Sequence, residues 1–372
     1  MKKIARSLRQ HRPVGRYAGY IRHISAHRSP WGLAAEEIPA NEAAFPFVMR
    51  DRGNPLKIKK MPASLFDYSE PKPSPVPRIV FGLVAVLFVW DCYATINGLM
   101  RRSTWAAFIP PSSEADDLCK VAGASWRAVS ITAADGGMLH AWLVQPDHPN
   151  GKAVVLLHNL KGTRLRVLPI AVGLLRHGFT CLLPDSRGHG ASGGELITLG
   201  TLEKYDVAGW VQLLKRNPAI SGVYGLGLSL GASTLIQSLT IPVDFRAIVA
   251  DSTGADPAHP YQYLSDRFHL PVMVAGPLGW PFVELLTWNT RLRYNLRIER
   301  ASPLEAIRSA RVPVLLIQGT DDWLIPAQYA RRLHEANLQY TELWEVPGAG
   351  HARVSNVAPE YQQRVLDWFT RR

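Results

Sequence analysis

Cysteine is nearly absent from the 372-residue sequence, which holds only Cys92, Cys119 and Cys181. An odd count with no short Cys-x-x-Cys spacing excludes a paired disulfide framework and a thiolate zinc site. These three are expected to be small hydrophobes, buried in a core or in a membrane. Over most of the chain an excess of one charge is also missing. The formal net charge is +12, yet residues 1–78 hold 15 Lys/Arg against 6 Asp/Glu, while residues 79–372 hold 27 against 24. The basicity belongs to the N-terminal arm, and the remainder lacks the basic stripe of a nucleic-acid-binding surface. No zinc-finger, helix-turn-helix or RNA-binding signature accompanies the charge, so no nucleic-acid partner is expected. With 47% apolar and 19% charged residues, the composition excludes a disordered chain.

The arm opens with Lys2, Lys3, Arg6, Arg9, Arg12, Arg16, Arg22 and Arg28, with no acid among the first 30 residues. Beside a membrane anchor, such a segment suits an anionic lipid surface on the cytoplasmic side. A spacer with Pro71, Pro73, Pro75 and Pro77 reads as a stiff extended linker. Residues 79–100 then form the strongest apolar run, uninterrupted over 79–90 and ending at Arg101-Arg102. This length crosses a bilayer. Asp91 and Asn97 oppose that reading, but an acid near the middle costs about 2.5–3.5 kcal/mol, which several Leu, Ile, Phe and Val residues offset. A single transmembrane helix is therefore expected over 79–100, the alternative being an amphipathic or core-docked helix. Lys59, Lys60, Lys72 and Arg78 precede the run, and the balance of positive charge favours a cytoplasmic N-terminus with the C-terminal domain outside the cytoplasm. Residues 101–126 read as a connector.

From about residue 127 strands alternate with helices. Residues 128–133 and 138–145 flank Asp135-Gly136-Gly137, a hairpin signal. Apolar strand-like runs follow at 153–158, 179–184, 222–228, 246–250, 312–318 and 342–346. Helical stretches lie near 165–176, 202–216, 232–239, 327–336 and 359–369. One antiparallel hairpin leading into successive strand–helix units predicts an α/β fold, mostly parallel, with helices on both faces. Its site is expected at the carboxyl ends of the strands. The alternation breaks over 252–301, a segment rich in Pro, Trp and Tyr that would lie over those ends as a cap.

Gly227-Leu228-Ser229-Leu230-Gly231 joins the strand at 222–228 to a following helix. In that context Gly-x-Ser-x-Gly reads as a nucleophile elbow, a strained turn that displays a serine hydroxyl beside a helix N-terminus. A serine needs a base, and the base needs a carboxylate to fix its tautomer. The strand at 312–318 runs into Gly319-Thr320-Asp321-Asp322, and the strand at 342–346 into Pro347-Gly348-Ala349-Gly350-His351. Acid and histidine therefore follow the serine in the order Ser, Asp, His, each leaving a different strand. Asp321, Asp322 and Asp251 all follow core strands.

Leu156-Leu157-His158-Asn159, Asp185-Ser186-Arg187-Gly188-His189-Gly190-Ala191-Ser192-Gly193-Gly194, the elbow, residues 319–326 and residues 348–351 together resemble the α/β-hydrolase superfamily. With Ala301-Ser302-Pro303 they are similar to its membrane-attached bacterial members, related to dienelactone hydrolases and prolyl oligopeptidases. The resemblance covers residues 127–372. It implies Ser229 as nucleophile, His351 as base and Asp322 as acid through the spacing Gly-x-x-Asp-x-x-Ile-Pro, with Asp321 as the neighbouring alternative; Asp251 stands where some relatives carry the acid, and is expected to cap its turn instead. It also implies an oxyanion hole from the N–H groups of Leu230 and Leu160. Asn159 stands where the family has glycine; asparagine tolerates a positive φ better than other non-glycine residues, so the departure bears on the second donor of the oxyanion hole. His158, His189, Asp185 and Arg187 are expected to brace their loops. The implied activity is cleavage of a carboxylic ester or thioester through an acyl-enzyme, on a small acyl or lipid-like substrate, with no cofactor and no metal. Amide or peptide cleavage by the same residues and a non-catalytic binding domain are the alternatives. Oligomeric state is not written in the sequence.

Overall fold

The computed structural model describes residues 107–253 and 287–372, together with Trp90 and Glu284. The basic arm, Cys92, the expected span over 79–100 apart from Trp90, and most of the cap segment 252–301 lie outside the described residues. No helix among the described residues is long and apolar enough to cross a membrane.

The chain opens with α1 (Ser112–Ala122), followed by β1 (Ala124–Thr132) and β2 (Met138–Pro146), which pair antiparallel. Then come β3 (Lys152–Leu157), α2 (Leu168–Arg176), β4 (Thr180–Pro184), α3 (Glu203–Lys215), β5 (Gly222–Leu228), α4 (Leu230–Ser238) and β6 (Ile248–Asp251). Last are α5 (Pro303–Ser309), β7 (Val314–Gly319), α6 (Gln328–Ala336), β8 (Thr341–Val346), α7 (Val354–Val357) and α8 (Tyr361–Thr370). The eight strands form one sheet in the order β1-β2-β4-β3-β5-β6-β7-β8. From β4 to β8 every pairing is parallel, and β2 joins β4 antiparallel.

The uninterrupted apolar runs follow from this architecture, because a parallel strand is covered on both faces. In β3, Val154 and Leu156 enter one core while Ala153, Val155 and Leu157 enter the other. The first core is closed by α1, α2 and α8, through residues such as Leu118, Leu174 and Phe369. The second is closed by α3, α4, α5 and α6, through Trp210, Leu235, Ile307 and Leu333. These two layers hold the strand ends rigidly, so loops leaving adjacent carboxyl ends meet at a fixed place.

The folded unit begins before residue 127. Residues expected to form a connector contain α1, whose Ala115, Leu118, Cys119 and Ala122 are buried in the first core, and the opening of β1. Their spacing of three and four residues is the helical period, and Gly123 ends the helix in the left-handed conformation at φ +67°. Cys119 and Cys181 are free and buried. Burial pushes both thiols up, that of Cys181 beyond the range of ordinary titration.

Candidate active site

Ser229 stands between β5 and α4 with φ +53° and ψ −110°. A serine rarely adopts positive φ, and here the surroundings impose it. A β-carbon on Gly227 would lie 2.4 Å from the carbonyl carbon of Gly231, and one on Gly231 would lie 2.5 Å from the Leu157 oxygen. The two glycines let the turn close on itself and on the end of β3, where side chains would collide. The Ser229 N–H donates to the Asp251 oxygen on the next strand at 2.8 Å, which fixes the turn from the other side.

The Ser229 hydroxyl lies 2.9 Å from His351 Nε2, and His351 Nδ1 lies 2.8 Å from Asp322 Oδ2. A carboxylate can only accept, so Nδ1 carries the proton and Nε2 is left to accept from the serine. Asp322 is buried and fully occupied. Its Oδ1 accepts from the N–H groups of Leu324 and Ile325 at 3.0 and 2.8 Å, and its Oδ2 accepts from Gln318 Nε2 at 2.9 Å as well as from His351. Asp321, its neighbour, is exposed and accepts from the Thr320 hydroxyl instead. Asp251 is buried but makes no hydrogen bond to His351; its Oδ1 accepts from the Ser252 hydroxyl at 3.0 Å. Of the three acids that follow core strands, Asp322 is thus the one that reaches the histidine.

Among the described residues neither the Leu230 N–H nor the Leu160 N–H donates to a protein partner. The first is the opening N–H of α4. The second lies in the loop after β3, which presses on the elbow where Gly231 meets Leu157 and His158. The left-handed residue of this loop is Lys161, at φ +58°, and not Asn159, so the loop does not draw on asparagine's tolerance of positive φ. The reason is the turn: Gly162 N–H donates to the Asn159 oxygen at 3.0 Å, and a four-residue turn of this kind takes its positive φ at the third residue. Asn159 instead donates through Nδ2 to the Leu160 oxygen at 3.2 Å.

His158 and His189 hold this loop from behind. His189 Nδ1 donates to the Arg187 oxygen, which leaves Nε2 to accept the Lys161 N–H at 3.1 Å. His158 Nδ1 donates to the Asn159 oxygen and Nε2 accepts the Ser186 N–H at 3.0 Å. Burial, reinforced by neighbouring His189, pushes His158 down to about 4, so it is neutral at ordinary pH. Asp185 accepts from the Arg164 N–H and guanidinium and from the Ala191 N–H, while Arg187 donates to both oxygens of Asp206 and to Asp135. All four residues brace the loops beside the site.

Gln318 and Ser252 were not singled out in the sequence. Gln318 had a signal, a polar residue ending an otherwise apolar core strand. Ser252 had none, since its part depends on Ala352, one hundred residues away, whose N–H it accepts at 2.9 Å. No group of three or more His, Cys, Asp or Glu side chains placed to hold a metal occurs among the described residues.

Comparison with known proteins agrees with this layout. The chain is 29% identical over 230 residues to Uncharacterized protein YqkD of Bacillus subtilis, spanning 60% of this chain and 72% of that protein. It is 26% identical over 281 residues to Uncharacterized protein Rv2307c of Mycobacterium tuberculosis, spanning 74% of this chain and 87% of the relative. Among solved structures, the Pyrococcus furiosus esterase Pf2001 superposes with a TM-score of 0.55 at 26% identity, covering 71% of this chain and 98% of the esterase. The α/β hydrolase GrgF from Penicillium sp. sh18 superposes at 0.52 with 21% identity, covering 66% of this chain and 98% of GrgF. The model of the alpha/beta hydrolase family matches residues 154–366, more than half of the sequence and every residue of the serine–histidine–aspartate relay. The chain belongs to the alpha/beta hydrolase family.

Proposed function

We propose that the protein is a serine hydrolase that cleaves a carboxylic ester or thioester through an acyl-enzyme on Ser229. The observation that carries this reading is the hydrogen-bonded series Ser229–His351–Asp322, at 2.9 and 2.8 Å, on a serine held at positive φ. As Ser229 Oγ attacks the carbonyl carbon, its proton passes to His351 Nε2 and the carbonyl π electrons move to oxygen. The resulting oxyanion is received by the N–H groups of Leu230 and Leu160. The imidazolium is held by Asp322, whose other donors keep its carboxylate oriented. Collapse of the intermediate expels the alkoxide or thiolate, which takes the proton from Nε2. Water then attacks the acyl-enzyme with His351 as base, freeing the acid and restoring Ser229.

The similarity to an esterase supports testing esters first. The basic arm and the apolar run at 79–100 support a single-pass membrane protein with a cytoplasmic N-terminus and the hydrolase domain on the other side, acting on a small acyl or lipid-like substrate. Detergent-solubilised protein is labelled with a fluorophosphonate, and Ser229→Ala and His351→Ala are compared. Labelling of the wild type alone is expected; equal labelling of Ser229→Ala defeats the assignment. Acyl esters of increasing chain length are then assayed beside amino-acid anilides, and anilide turnover above that of every ester makes the enzyme an amidase. Carbonate extraction and protease accessibility from both membrane faces test the anchor and its orientation.

A further inference from the structure

Asp251 ends β6, between the strand that carries Ser229 and the strand that leads to Asp322. It touches both halves of the site. Its main-chain oxygen accepts the Ser229 N–H at 2.8 Å, and its Oδ1 accepts the Ser252 hydroxyl at 3.0 Å. A hydroxyl has one proton to give. Donated to Asp251, it leaves the lone pairs of Ser252 Oγ to accept the Ala352 N–H, at 2.9 Å, on the residue after His351. Ser252 and Ala352 are both held at positive φ, +55° and +50°, so this stretch of chain needs fastening. The fastening is a carboxyl, hydroxyl and amide in series, with Asp251 1% and Ser252 0% exposed and Ala352 half-buried.

We propose that Asp251 is a positioning residue that, through the Ser252 hydroxyl, fixes the backbone beside His351 and so aims the imidazole at Ser229. The inference rests on the reading of Ser229 as the nucleophile.

A carboxyl is a costly choice for a plain turn cap at this position. Burial pushes Asp251 up to about 6, against the Ser252 hydroxyl, the Tyr361 hydroxyl of α8 and the His351 imidazole, which favour its ionised form; Asp322 opposes ionisation. Tyr361 is itself buried and pushed up by burial and by Asp251, yet neither its hydroxyl nor Asp251 Oδ2 has a partner of hydrogen-bond geometry among the described residues. A residue kept only for stability would not hold an acid there. The ionised acid commits the Ser252 proton, and with it the direction of the lone pair that receives Ala352.

The test is the second-order rate of fluorophosphonate labelling by the full chain in detergent micelles, measured across pH for wild type, Asp251→Asn, Ser252→Ala and the double variant. Thermal midpoints are recorded at pH 8. Each single variant is expected to label roughly tenfold more slowly at pH 8, the size of one charge-assisted hydrogen bond, and the double variant no more slowly than either. The Asp251→Asn midpoint is expected to equal or exceed that of the wild type. Below about pH 6 the wild-type rate is expected to fall more steeply with pH than that of Asp251→Asn, because one titrating group has been removed. Wild-type labelling rates in both single variants, additive losses in the double variant, or slow labelling that tracks a lowered midpoint overturn the proposal. Should Asp251→Asn fail to fold, Ser252→Ala carries the test alone. Absent labelling of the wild type would instead defeat the nucleophile assignment. The His351 Nδ1 proton resonance then reads the imidazole position without turnover, and a resonance unmoved in both variants overturns the inference.

Discussion

Gln318 Nε2 and His351 Nδ1 share one acceptor, Asp322 Oδ2, at 2.9 and 2.8 Å. Gln318 therefore fixes the rotation of the Asp322 carboxyl about its own axis. Gln318→Leu is expected to lower kcat roughly tenfold with little change in KM, since one hydrogen bond to a charged acceptor is lost where the imidazolium forms. Steady-state kinetics on the best ester substrate check this, and an unchanged kcat would remove Gln318 from the site.

Asp322 and Asp321 separate sharply by the same logic. Asp322→Asn presents an amide to Nδ1, disfavours the needed tautomer and is expected to reduce kcat on the order of 10³- to 10⁴-fold. Asp321→Asn, which alters an exposed side chain bonded to Thr320, is expected to leave kcat within about twofold. The pair of kinetic measurements distinguishes the two acids, which the sequence presents side by side.

Most of the fold could be read from residues alone because parallel strands are apolar throughout and stand out. The strand at 222–228 is found with its bounds unchanged, β1 begins four residues earlier than expected, and the other strands differ by one or two residues at their ends. The missed helix α1 was masked by its mixed composition, since Asp116, Asp117 and Lys120 occupy its outer face. In the site, Ser229, Asp322 and His351 were legible because each follows a strand end in a fixed order. Asp251, Ser252 and Gln318 act through contacts made only after the strands are set side by side. Lys161 was not legible for a related reason: the position of a left-handed residue depends on which hydrogen bond closes its turn.

The elbow tolerates no side chain at Gly231. An alanine β-carbon 2.5 Å from the Leu157 oxygen and 2.8 Å from the His158 oxygen must push the end of β3 away. Gly231→Ala is expected to destabilise the protein by about 2 kcal/mol or more and to suppress fluorophosphonate labelling even where the chain still folds. Chemical denaturation together with labelling checks both parts.

The two buried titrating groups beside the site act on stability in opposite directions. For His158, pushed from 6.5 down to about 4, the unfolded chain takes up the proton first as the pH falls. Stability present above about 6.5 is lost toward about 4, by at most about 3 kcal/mol, and His158→Gln should flatten that acid limb. For Asp251, pushed from 3.8 up to about 6, stability present below 3.8 is lost as the pH rises through about 6. Asp251→Asn should therefore gain up to about 3 kcal/mol above pH 6 and little at pH 4. Denaturation curves at pH 4, 6 and 8 give both signs.

Six non-glycine residues among those described have positive φ, and Lys161, Ser229, Ser252 and Ala352 all belong to the loops that surround the serine. The sheet is relaxed and its mouth is strained, so the molecule resembles a rigid frame with a drawn spring at one edge. Glycine at Ala352 would relax the spring without touching the frame or the bonds of the Ser252 hydroxyl, giving a sturdier protein and a poorer enzyme. Selection for thermal endurance alone would be expected to enter the chain there first, and selection for turnover to undo it.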